Sequence, residues 1–200
     1  MRRGIARAVV AAGAALALLA GCTGSPADPP TPPATSPAAS PSPSPSPTPT
    51  PTPEPDAAVP PERPDMSRVD AETAEAVAVY FLQLYPYVYA TGDLAEWRAL
   101  SHPECVFCAS VISNVEEMVA EGNHSEGGLV ELGAVEVLTV STDRWLATTT
   151  MTQEPSATLD ESGAPVETFP ERKEYDVAVA LDSTDGGFRV LEVTPSRRGA

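Results

Sequence analysis

Two cysteines three residues apart, in Ser101-His102-Pro103-Glu104-Cys105-Val106-Phe107-Cys108, are the part of this chain with the clearest chemistry. A CxxC pair at the amino end of a helix can hold a thiolate favoured by the helix dipole and exchange disulfides. His102, Cys105 and Cys108, with His124 as a fourth ligand, offer the nitrogen and sulfur donors zinc prefers. Structural zinc sites, however, are usually built from two closely spaced pairs, and His124 stands alone. The third reading is a disulfide, because residues i and i+3 of a helical turn approach the Cα separation of roughly 4.4–6.8 Å that the bond requires.

A thioredoxin-like redox centre is fed by a strand, whereas the preceding LAEWRALSHPE reads as helix and loop. Haem attachment needs histidine directly after the second cysteine, and residue 109 is alanine. The expectation is therefore a local clip between Cys105 and Cys108 that fixes how the chain enters a helix, worth about 2 kcal/mol for so small a loop. No metal and no cofactor is expected, and catalytic redox chemistry stays open as the alternative.

Acid–base and binding candidates are Tyr80, Tyr85, Tyr87, Tyr89, Tyr175, Asp93, Asp176 and the two histidines. No spacing singles out an acid–base pair. Asp93 is placed to cap a helix, and Asp176 alternates with Tyr175 and Val177 as the polar face of a strand does. His102 and His124 lie outside apolar runs and read as solvated loop residues. Aromatic residues at helix ends can line the mouth of a cavity, so Tyr80, Tyr85, Tyr89, Trp97, Trp145 and Tyr175 form the candidate ligand pocket. Asn123-His124-Ser125 matches a glycosylation sequon, which would carry little weight in a bacterial protein. No nucleophile elbow, phosphate loop or paired-carboxylate motif is present.

The elements that must position these residues follow from hydrophobic period. Residues 67–90 place Ala74, Val77, Ala78, Phe81, Leu84, Tyr85 and Val88 on one helical face. Ser67 or Asp70 caps its amino end, and Pro86 predicts a kink or break. Gly92 ends this helix and Asp93 starts a short second one through Leu94, Trp97 and Leu100. A third helix is predicted from about Glu104 to Ala120, with Val106, Ala109, Ile112, Val115 and Val119 on its apolar side, stopped by Gly122. After it the period changes to that of strands at 129–140, 144–153, 172–182 and 187–194. Short connections at Ser141-Thr142-Asp143 and around Asp185-Gly186 make the neighbours antiparallel, and Pro155 to Pro170 reads as a longer hairpin loop. Helices followed by such strands imply an α+β domain over residues 66–200.

The amino-terminal third has a different character. Arg2, Arg3 and Arg7 precede an apolar run from Ala8 to Ala20, about 13 residues, which is too short to span a bilayer and has the form of an export signal. Leu19-Ala20-Gly21-Cys22 resembles a bacterial lipobox, which implies a signal peptide over 1–21 and a lipid on Cys22. Residues 22–65 are rich in proline, serine, threonine and alanine, and only six of the 23 prolines fall after Met66. Such a segment has no core to offset the entropy of ordering and reads as a polyproline-type stalk. The net charge of −16 repels nucleic acid and anionic head groups, so membrane contact is expected through the lipid alone.

The order of elements resembles the NTF2-like, cystatin-related fold, in which N-terminal helices pack on a curved antiparallel sheet to form a cone. The lipobox and stalk, with Arg63-Pro64-Asp65-Met66, Tyr89-Ala90-Thr91-Gly92-Asp93 and Cys105-x-x-Cys108, resemble a family of actinobacterial lipoproteins of unknown function, chiefly over residues 62–130. The resemblance implies a lipid anchor on the outer face of the cell membrane of a high-GC Gram-positive organism and supplies no reaction. The expected function is a non-catalytic domain that binds an envelope protein or a small apolar ligand. The alternative is an envelope enzyme, either a thiol–disulfide oxidoreductase through the CxxC or a lyase or isomerase using the cone.

Overall fold

The computed structural model describes residues 56–184 and 187–199. The expected signal peptide, Cys22 with its expected lipid, and the expected stalk as far as residue 55 lie outside the described residues. Among those described, no helix is long and apolar enough to cross a membrane.

Helix α1 runs Ala71–Thr91, α2 Ala95–Leu100 and α3 Val106–Ala120. The local chemistry sets each end. Asp70 is extended and its carboxylate accepts the Thr73 amide at 2.9 Å, satisfying a donor that has no partner inside the helix. At the other end Gly92 adopts φ 73° and donates its amide to the Val88 carbonyl, a left-handed conformation that costs glycine little. Helix α3 closes with paired bonds, Asn123 N–H to Met118 O and Gly122 N–H to Val119 O, both 3.0 Å, around a Gly122 at φ 77°.

Pro86 does not break α1. Its missing amide hydrogen and ring clash cost about 3 kcal/mol in a helix interior. Phe81 and Leu84 before it and Val88 after it are all fully buried, at about 1.5–3 kcal/mol each. Packing on both sides of the proline outweighs the local preference.

The strands are β1 His124–Gly127, β2 Val130–Leu132, β3 Glu136–Ser141, β4 Arg144–Gln153, β5 Ser156–Leu159, β6 Pro165–Phe169, β7 Lys173–Thr184 and β8 Gly187–Arg197. They form two antiparallel sheets. The larger has the order β2-β4-β7-β8, with β3 also paired to β4; the smaller has the order β1-β5-β6. The α+β arrangement is the expected one, helices packed against antiparallel sheet. Val177, Val179 and Leu181 alternate inward on β7 and meet Trp145 and Ala147 of β4, Phe188, Val190 and Val193 of β8, and the apolar face of α1 in one core.

The smaller sheet was not expected. The stretch Pro155 to Pro170, predicted as a loop, contains β5 and β6. The predicted strand 129–140 is divided into β2 and β3 at Gly133, which donates its amide to Thr150 O at 2.8 Å. A Cβ there would lie 2.3 Å from Thr150 Oγ1, so any other residue would force the Thr150 side chain to shift. The domain also begins to pack before Met66: Arg63 pairs with Glu96 at 2.8 Å and Ala57 is buried.

Candidate functional site: a tyrosine-floored cleft beside the smaller sheet

A cleft of about 870 Å³ opens between α1, α3 and the smaller sheet, within the range of ligand sites. Register explains the space. Ser125, Thr158 and Glu167 stand opposite one another across β1, β5 and β6, as do Gly127, Ser156 and Phe169. Both rows line the cleft, and serine, threonine and glycine leave unfilled the volume that larger side chains would occupy. Gly127 is constrained twice over, by φ 76° and by the Pro155 carbonyl oxygen 2.5 Å from where its Cβ would stand.

Tyr85 and Tyr89 of α1 and Tyr175 of β7 form the floor. Tyr85 and Tyr89 are one helical turn apart, with ring centroids 5.1 Å apart. Tyr85 also faces Phe107 and Trp97, at 6.3 and 6.4 Å, so it joins the aromatic core to the cleft. Burial, then the neighbouring Tyr89 and Tyr175, push the Tyr85 hydroxyl far above the usual phenol range, which favours its neutral form. Asn114 of α3 donates to the Tyr89 hydroxyl at 3.4 Å. Around the mouth stand Glu117, Glu121, Glu154, Glu167 and Glu171, with Lys173 opposing them. Arg172 pairs with Glu154 at 3.1 Å while also holding Glu131 at 2.7 Å, and Arg197 approaches Glu171 at 3.4 Å.

The other three residues of the candidate pocket lie elsewhere. Trp97 is buried against Phe81, ring centroids 4.1 Å apart, and its indole N–H donates to Cys108 O at 3.2 Å. Trp145 packs on Phe188 in the core at 5.4 Å. Tyr80 points to another face of α1, where its hydroxyl donates to Glu96 at 3.4 Å. Asp93 accepts from the Tyr87 hydroxyl at 3.1 Å and from the Ala95 amide at 3.0 Å; it stands one residue before the cap expected of it, the cap position of α2 being Leu94. Asp176 is exposed and pairs with Arg198 at 3.4 Å. His102 accepts the Glu104 amide on Nδ1 at 3.2 Å, and His124 Nε2 lies 3.8 Å from Glu126; neither histidine lines the cleft. Among the described residues, no group of three or more His, Cys, Asp or Glu is placed to hold a metal.

Cys105 and Cys108 sit at disulfide distance, S–S 2.00 Å and Cα–Cα 5.3 Å, and both are buried, at 1 % and 0 % exposure. Cys105 is the N-cap of α3, its sulfur accepting the Cys108 amide at 3.1 Å, which is why this helix begins two residues later than predicted. Glu192 of β8, which the sequence did not single out, closes the same helix end. Its carboxylate accepts the Val106 and Phe107 amides at 3.0 and 3.2 Å and lies 3.9 Å from Cys105 Sγ. Those amides are the groups that would stabilise a thiolate. With them occupied, and a negative charge already in place, the surroundings oppose exchange chemistry.

No curated protein sequence matches the chain. Among solved structures, the intermembrane-space region of chloroplast protein ARC6 is similar at 13 % identity and TM-score 0.50, over 65 % of this chain and 98 % of that one; this is a likeness of fold. A protein with a cystatin-like fold from Caulobacter vibrioides matches at 13 % identity and TM-score 0.40, over 64 % of this chain and 87 % of that one. Aln2 from a Streptomyces species matches at 9 % identity and TM-score 0.43, over 65 % and 94 %. The sequence model of one family, described only as a family of unknown function, matches residues 47–192. That span takes in the helices, the CxxC and the cleft, and the chain belongs to this family, DUF6318.

Proposed function

We propose that this protein is a lipid-anchored lipoprotein of the actinobacterial cell envelope whose NTF2-like domain binds a ligand without transforming it. The observation that carries the binding role is the cleft: small side chains in register on one sheet face, a floor of three tyrosines, and a volume of about 870 Å³. The anchor rests on the lipobox pattern at Leu19-Ala20-Gly21-Cys22. With so polar a lining, the ligand is a small polar molecule or a segment of a partner protein; of the two occupants expected from the sequence, the protein fits and the small apolar ligand does not.

The test is a thermal-shift screen on the full-length protein in detergent. A ligand at about 100 times its Kd adds about 2.7 kcal/mol and raises Tm by roughly 8 °C. The gain disappears in Ser156→Phe, which fills the cleft. A ligand that stabilises both proteins equally binds elsewhere and removes the cleft from the account. For the anchor, Cys22→Ser moves the protein from the membrane fraction to the soluble one; continued membrane association would sink the lipoprotein reading.

A further inference from the structure

We propose that the cleft's ligand is an extended, positively charged polypeptide segment that adds as a strand to the free edge of β6. This proposal rests on the binding role of the cleft and specifies its occupant. Two independent features of the site lead to it, one of charge and one of backbone.

The charge is one-sided. Of the five carboxylates at the mouth, Glu154 and Glu171 have arginine partners. Glu117, Glu121 and Glu167 have no basic partner among the described residues. The basic group in the lining, Lys173, sits with Nζ 5.3 Å from the centre of the Phe169 ring, so the chain's own cation already uses the aromatic wall in the way a ligand cation would. A cleft edged by like charges concentrates cations and repels anions.

The backbone feature is β6 itself. It is the last strand of its sheet, with no strand beyond it among the described residues, and all five of its residues are exposed. Val166 and Phe169 are large apolar side chains exposed at 55 % and 38 %, and both line the cleft together with Glu167. An unprotected edge beside apolar side chains is a template for strand addition. A bound strand draws affinity from main-chain hydrogen bonds and specificity from alternate side chains. A segment carrying lysine or arginine at alternate positions would direct its cations toward Glu117, Glu121 and Glu167 while its main chain pairs with β6. A free amine or polyamine could satisfy the carboxylates but not the strand edge.

Titration calorimetry of the full-length protein separates these. The probes are a blocked peptide of alternating threonine and lysine about a dozen residues long, the same peptide N-methylated at alternate residues, spermine, and a peptide of alternating threonine and glutamate. The expected result is saturable binding of the first probe alone. It weakens at least about tenfold with Glu117→Gln plus Glu167→Gln and changes little with Glu75→Gln plus Glu104→Gln, which removes equal charge elsewhere on the surface. Equal binding of the N-methylated peptide or of spermine overturns strand addition, as does equal weakening by the surface pair. Binding of the glutamate peptide, or no binding of any peptide, overturns the proposal as a whole. In that last case a small molecule whose stabilisation is lost in Ser156→Phe would still uphold the cleft as a binding site, so the two readings fail separately.

Discussion

Single side chains bear on two questions that their spacing left open. The CxxC could have been reactive, and Glu192 settles its surroundings by taking the amides of Val106 and Phe107 and standing 3.9 Å from Cys105 Sγ. The pair should therefore show a reduction potential below about −300 mV, and Cys105→Ser with Cys108→Ser should lower stability by about 2 kcal/mol. Alkylation trapping across glutathione ratios measures the first; a potential between about −120 and −230 mV would restore the redox reading. Asp70 answers to pH. The Thr73 amide, then its hydroxyl, holds the Asp70 carboxyl below the usual aspartate range. A depressed folded value means stability that is present above the unfolded pKa and lost as pH falls through the folded one. The Tm gap between the native protein and Asp70→Ala should be constant near neutrality and narrow below about pH 4. A gap that stays unchanged in acid would mean that the Asp70 charge plays no part in the cap.

Elements show where sequence carries information and where it does not. The three helices were legible as helices, with Asp70, Gly92 and Gly122 at their ends in roles only such residues fill cheaply. The face expected of α3, Val106, Ala109, Ile112, Val115 and Val119, is not the packed one: Val106 and Val119 are exposed, and Cys108, Val111 and Met118 are buried alongside Val115. Strands β4, β7 and β8 were legible through inward alternation such as Val177, Val179, Leu181. Strands β1, β5 and β6 were not, since HSEG, SATL and PVETF are short and bury no residue fully; they are strands because of their partners. The cleft was half legible for the same reason. Its tyrosines announce themselves, but its open space comes from serine, threonine and glycine, which carry no signal until register sets them side by side. Tyr80 could have been separated from Tyr85 in advance, since five residues of helix turn it about 140° away. Gly92 offers a test at this scale. Its alanine variant meets both a left-handed φ and Val119 Cγ2 of α3 at 2.8 Å from the added Cβ, so Gly92→Ala should cost about 1–2 kcal/mol or more. In denaturant unfolding, Val119→Ala should recover the steric part and leave the backbone part, giving a measurable coupling. Strict additivity would mean that α1 and α3 do not press on each other there.

Over the whole molecule, charge sets function against stability. The chain carries 28 acidic and 12 basic residues, and an excess of one sign destabilises a compact state through self-repulsion. Where the excess gathers around a concave site, repulsion is strongest because the walls exclude some of the water that would screen it. Glu117, Glu121 and Glu167 around the cleft are thus expected to be unfavourable in the empty protein and favourable once a cation is bound, the usual trade between a site and its scaffold. Glu117→Gln with Glu167→Gln should then raise the Tm of the unliganded protein at low salt while weakening the basic peptide. The rise should fade as salt shortens the screening length from about 10 Å at 0.1 M toward about 3 Å at 1 M. A lower Tm for the variant at every salt concentration would mean that these carboxylates hold the fold together instead, and the electrostatic reason for expecting a cationic partner would go with it.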